Sequence, residues 1–86
     1  MSASDPNLPM TSTDAARRRE FGARVIALRS GAGMSQAALA ARSGLSLAYV
    51  QGVERGDKTV RILAIWQLAD ALGCSAADLF AVGDRH

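Results

Sequence analysis

Eighty-six residues with a net charge of +2 support one small domain; 49% are apolar but only 5% aromatic, so the core must be aliphatic. No stretch approaches the roughly 18 apolar residues of a membrane span, and residues 1–14 lack the apolar centre of a signal peptide, so a cytoplasmic protein with no membrane partner is expected. The single cysteine, Cys74, excludes an internal disulfide and a cysteine-based zinc site.

Residues 1–14 are rich in Ser, Thr, Pro and Asp without apolar periodicity and read as a disordered tail. Thr13 or Asp14 is placed to cap a first helix beginning near Ala15. Phe21, Val25 and Leu28 recur at i, i+4 and i+7 and form its inward face, and Gly31 and Gly33 end it. Ser35 is a natural N-cap for a second helix, with Leu39 and Ala40 inward and Gly44 as its stop. Ser46 caps a third, with Val50 and Val53 inward and Gly56 at the left-handed C′ position. Asp57, Lys58 and Thr59 form a polar loop.

A fourth helix is predicted from about Arg61 to Leu72, with Ile62, Ile65, Leu68, Ala69 and Leu72 on one face. Gly73 breaks it, and Ser75 caps a short fifth helix carrying Leu79 and Phe80. No strand-like alternation occurs. The fold class is all-α, a compact five-helix bundle over residues 15–82, with 83–86 as a short C-terminal tail.

The second and third helices, joined at Gly44-Leu45, make two short helices linked by a tight turn. The commonest use of such a pair in a small protein is to lay the second helix in the major groove of DNA. The charge distribution agrees. Residues 17–61 hold nine Arg or Lys against three acids, +6, whereas residues 1–16 and 62–86 each carry −2.

Four segments in this order and spacing carry a specific resemblance: FGARVIALR, SQAALAARSGLS, AYVQGVERG and LADALGCSAADLF. From about Phe21 to Phe80 the chain resembles the Cro/repressor-type (XRE family) helix-turn-helix proteins, whose domain is lambda-repressor-like. Its length and the VERGDKTV segment are similar to the controller proteins of restriction–modification systems. The resemblance implies a prokaryotic or phage transcriptional regulator that binds palindromic double-stranded DNA as a homodimer. It also implies that Gln36 contacts a phosphate and can buttress the third helix, and that Arg29 and Glu54 form an internal ion pair.

The expected base-facing residues are Leu47, Ala48, Gln51 and part of Gly52, of which only Gln51 can pair bidentately with a base edge. Gly52 has two readings: a close approach of backbone to the groove, or room for a neighbouring side chain. The expected phosphate contacts are Ser35, Gln36, Ser46, Tyr49, Arg55, Lys58 and Thr59. Each has a plainer alternative: Ser35 and Ser46 as caps, Tyr49 hydrogen-bonded within the protein, the basic residues as solvated charge. Arg42 sits where it complements the second helix's dipole. Arg17, Arg18 and Arg19 read either as a solvated charge run or as an arm for an adjacent minor groove.

Ile26 and Leu63 fall off the inward faces. Together with Trp66, Leu79, Phe80 and Val82 they suggest an exposed apolar patch, and Trp66, Leu79, Phe80 and Val82 are the expected dimer interface. The only histidine is His86, so neither a catalytic triad nor a histidine metal site is expected, and no cofactor is implied. The chain reads as a non-enzyme. A rival reading makes the same fold a protein-interaction module, an antitoxin or adaptor with a protein partner, because Leu47, Ala48 and Gly52 read bases weakly.

Overall fold

The computed structural model describes residues 10–80, with side chains from Asp14 onward. Four α-helices follow one another: α1 (Met10–Gly31), α2 (Gln36–Ser43), α3 (Leu47–Arg55) and α4 (Ile62–Leu72). A 3₁₀ helix (Ala76–Phe80) closes the described chain, and no strand occurs among the described residues.

The core is built from the periodic residues. Phe21, Val25, Leu39, Ala40, Val50, Val53, Leu68, Ala69 and Leu79 bury against one another, with Leu28, Ile65 and Leu72 packed on the margin. All but Phe21 are aliphatic, and truncation of Leu39 or Leu68 to alanine is expected to cost about 2–5 kcal/mol. Helices α1 and α3 come so close that a Cβ on Gly22 would lie 2.4 Å from the Val53 carbonyl oxygen.

The caps fix the helix boundaries around the α2–α3 pair. Ser35 Oγ accepts the Ala38 N–H at 3.0 Å, and Ser46 Oγ accepts the Tyr49 N–H at 3.0 Å. Gly44 (φ 76°) and Gly56 (φ 83°) adopt left-handed backbone, which a side chain would strain. Gln67 Nε2 donates to the Ser43 carbonyl at 3.2 Å, fastening the end of α2 to α4.

Three sequence expectations are corrected. First, α1 starts at Met10, inside the segment read as a tail. From Met10 to Phe21 the chain has neither proline nor glycine, so nothing stops the helix from propagating. Second, the fifth helix is a 3₁₀ helix, leaving four α-helices. The Asp78 N–H bonds the Ser75 carbonyl at i−3, and the Asp78 carbonyl is taken by Arg24 Nε at 2.7 Å rather than by a following turn. Third, Ile62 is 65% exposed. The inward line of α4 runs through Ala64 and Leu68, and two residues of about 100° each turn Ile62 nearly opposite Ala64. Alanine is a weak periodic signal, so Ala64 escaped notice.

Candidate nucleic-acid interface

Helices α2 and α3 present one composite surface, held from beneath by a buried polar hub. Arg29 of α1 donates from Nε to Glu54 Oε2 at 2.6 Å and from Nη2 to Oε1 at 3.1 Å, and its Nη1 reaches the Met34 carbonyl at 2.9 Å. Gln36, the first residue of α2, donates from Nε2 to the same Glu54 Oε1 at 2.8 Å. The hydrogen bond that Arg29 donates to Glu54 raises the Arg29 pKa further, against the opposing effect of burial, so the guanidinium stays charged. The hub locks α1, α2 and α3 together, as expected for Arg29 and Glu54 and for the buttressing role of Gln36.

On the outer edge of α3, Leu47 and Ala48 are exposed and Gln51 is half-exposed, which leaves these three open to an approaching surface. Gly52 is different. It is buried, and a Cβ there would lie 2.6 Å from Cγ and 2.8 Å from Cε of Lys58. Of its two readings, room for a neighbouring side chain holds: the Lys58 stem covers it, and Gly52 leaves the base-facing set.

Among the residues expected at phosphates, Ser35 and Ser46 spend their hydroxyls on caps. The half-buried Tyr49 accepts the Arg61 N–H on its hydroxyl at 3.1 Å, and the Arg61 guanidinium carbon sits 5.0 Å from its ring centroid. Tyr49 thus fastens the start of α4, which has no side-chain cap of its own. Arg55 is paired through Nε with Asp57 Oδ2 at 2.6 Å, and both side chains are well exposed. Lys58 and Thr59 are exposed on the same loop, and Arg42 is exposed in the last turn of α2.

Several contacts went unseen in the sequence. Arg18 Nε donates to the Gly56 carbonyl at 3.0 Å, and Arg24 and Gln67 make the backbone bonds already described. The Arg55–Asp57 spacing of two residues was the one signal available for its pair. Cys74 is half-buried, and burial, with the nearby Asp78 charge, pushes its thiol up from the ordinary thiol range.

The expected dimer surface divides. Leu79 is 1% exposed and belongs to the core of its own chain, because the 3₁₀ turn directs it inward; it leaves the interface set. Val82 lies outside the described residues. Trp66 is 52% exposed, and Phe80 is exposed with its ring 5.3 Å from that of Phe21. Leu63, 70% exposed, lies one turn before Trp66, so α4 shows an apolar face of Ile62, Leu63 and Trp66 that is exposed among the described residues.

Two capped helices around a left-handed glycine turn, with the second helix's outer edge open and its inner edge tied to a buried hub, define a helix-turn-helix module. The helix-turn-helix family profile matches residues 25–79, and the chain belongs to that family, of the Cro/repressor (XRE) type. It is 34% identical over 68 residues, 79% of this chain and 88% of the relative, to the uncharacterised HTH-type transcriptional regulator y4dJ of Sinorhizobium fredii. The crystal structure of the restriction–modification controller protein C.AhdI from Aeromonas hydrophila matches with a TM-score of 0.75 at 45% identity, covering 76% of this chain and 98% of that one. The clp gene regulator ClgR from Corynebacterium glutamicum matches with a TM-score of 0.69 at 33% identity, covering 73% and 82%. No described helix is long and apolar enough to cross a membrane.

Proposed function

We propose that this chain is a DNA-binding transcriptional regulator of the restriction–modification controller kind, which occupies a palindromic operator as a two-fold dimer with α3 in the major groove. The observation that carries the reading is the open Leu47–Ala48–Gln51 edge of α3, on a helix whose C-terminal end is tied to the α2 N-terminus through Gln36 and Glu54 and runs on into the basic loop Arg55–Arg61. The α2 N-terminus offers free N–H groups and partial positive charge to a phosphate, and the loop supplies Arg55, Lys58 and Arg61. In this reading the protein acts by occupancy of its site and has no catalytic step.

Gln51 reads a base edge, while Leu47 and Ala48 pack against thymine methyl groups. The apolar α4 face, with Phe80, pairs two copies and sets their α3 helices about 34 Å apart. The likeness to C.AhdI in fold, at 45% identity, supports the controller assignment.

The test is a selection of duplexes from a random pool, followed by a salt titration on the winners. Expected are sequences with two-fold symmetry, and an affinity that falls by about 0.9 log unit per phosphate contact per decade of salt. Gln51→Ala should relax the preference at one base position by about 1–3 kcal/mol. Sedimentation should give a dimer. Failure to enrich any duplex, with binding insensitive to salt, would instead make the chain a protein-interaction module working through its α4 face.

A further inference from the structure

The first part of α1 has no task in the reading above. Its first core residue is Phe21, yet the helix begins at Met10, so about three turns, roughly 16 Å at 1.5 Å per residue, precede the core. That segment holds Arg17, Arg18 and Arg19 side by side. Like charges in the first half of a helix repel one another and oppose its dipole. Among the described residues the ion pairs are Arg29–Glu54 and Arg55–Asp57, so no acid pairs with any of the three.

Their position is defined by the α3–α4 turn. Arg18 Nε holds the Gly56 carbonyl at 3.0 Å, and Arg19 packs so tightly on Gly56 that a Cβ there would lie 2.7 Å from Arg19 Cγ. Between α1 and the turn runs a groove of about 290 Å³, lined by Asp14, Arg17, Arg18, Thr59 and Val60. Thr59 is thus shared between this groove and the basic loop that flanks α3.

We propose that Arg17 and Arg18, with the Thr59 hydroxyl, bind a backbone phosphate of the duplex beyond the half-site read by α3. The inference rests on the operator-binding reading and extends its footprint outward along α1. Against one carboxylate, Asp14, the groove's lining sets two guanidinium forks and a hydroxyl, donors that match phosphate oxygens. The reading edge itself, Leu47, Ala48 and Gln51, has no cation, so affinity has to come from its surroundings. Asp14 on the groove's rim works against the contact.

The experiment compares two duplexes of the selected sequence, one ending at the half-site and one carrying a further helical turn of flank. Wild-type protein should bind the longer duplex more tightly and with a steeper salt dependence. Arg17→Gln should lose that gain, its salt slope falling by about 0.9 for each flanked half-site on the longer duplex and staying unchanged on the shorter. Asp14→Asn should act in the opposite direction, tightening the longer duplex alone, so the outcome does not depend on a loss that misfolding could mimic. Equal effects of Arg17→Gln on both duplexes, or none on either, would overturn the proposal and leave the operator reading intact. A preference of the wild type for A·T-rich flanks that Arg17→Gln abolishes would also overturn it, since the arginines would then occupy the minor groove. Salt-insensitive binding, or none to either duplex, would remove both readings together.

Discussion

The side-chain amide of Gln36 reaches Glu54 Oε1 at 2.8 Å, on the same oxygen that receives Arg29 Nη2 at 3.1 Å. One carboxylate therefore sets the angle between α2 and α3 and anchors both to α1. The Glu54 side chain is 4% exposed and that of Arg29 16%, so the charges are satisfied by each other rather than by water.

Removing one partner should leave the other buried and unpaired. Glu54→Ala is expected to cost about 3 kcal/mol in urea unfolding, the lower end for a buried pair because Arg29 keeps some contact with solvent. Arg29→Lys should recover only part of the loss from Arg29→Ala, since an ammonium cannot reproduce the forked contact with both carboxylate oxygens. Gln36→Ala should cost only about 1 kcal/mol in stability, yet weaken binding to all duplexes by similar factors, measurable by anisotropy on selected and scrambled sequences.

Arg55 and Asp57 form a different kind of pair. Both are largely exposed, and such a pair contributes about 0–1 kcal/mol. Asp57 nonetheless competes with any phosphate for the guanidinium and adds a negative charge beside the proposed interface. Asp57→Asn should tighten DNA binding several-fold on every sequence with little change in unfolding free energy, and Arg55→Ala should weaken it on every sequence. Weaker binding by Asp57→Asn would mean that the carboxylate aims Arg55 at the phosphate instead of withholding it.

Two glycines separate a backbone constraint from a side-chain one. A Cβ at Gly22 would meet the carbonyl oxygens of Val53 and Glu54 at 2.4 and 2.7 Å, and neither can move without parting α1 from α3. Gly22→Ala should cost about 3 kcal/mol or more. At Gly52 the obstruction is the flexible Lys58 stem, and alanine gains about 1 kcal/mol of helix propensity. Gly52→Ala should therefore leave stability nearly unchanged or slightly raised, while displacing Lys58 and lowering DNA affinity. A large loss of stability in Gly52→Ala would show that the lysine stem is a fixed part of the packing.

What was legible in the chain was local. Phe21, Val25 and Leu28, and Val50 with Val53, declare their helices by spacing, and Ser35, Ser46, Gly44 and Gly56 declare the ends through capping chemistry that spans at most four residues. What was hidden depends on residues far apart in sequence. Gly22 matters because α3 crosses it some thirty residues later, and Arg24 bonds Asp78 from 54 residues away. Leu79 looked like spare apolar surface because its burial follows from the 3₁₀ turn, which Arg24 helps to set. The exposure of Leu47, Ala48 and Gln51 was foreseen from the inward pair Val50 and Val53, but the cover over Gly52 was not, since nothing in the spacing tells which way a lysine folds.

The closing 3₁₀ helix offers a test by pH. Asp78 Oδ2 accepts the Ser75 N–H at 3.0 Å while Ser75 Oγ accepts the Asp78 N–H at 3.2 Å. The Ser75 backbone N–H foremost, and then the Ser75 hydroxyl, hold the Asp78 carboxyl below its ordinary range, with the Arg24 charge adding to the effect and desolvation opposing it. Because the folded state binds the proton less readily than the unfolded chain, ionised Asp78 contributes stability above the ordinary carboxylate pKa. That contribution is lost as pH falls through the lowered folded value. Asp78→Asn retains an acceptor oxygen but not the charge, so the wild type should exceed it in stability above about pH 5, and the margin should shrink steadily below about pH 4. Urea unfolding at a series of pH values measures it, and a margin that does not change with pH would mean that the carboxylate's charge is irrelevant to the turn. The same turn holds Leu79 in the core and presents Phe80 beside Phe21, so acid should also loosen any dimer that uses Phe80, ahead of global unfolding.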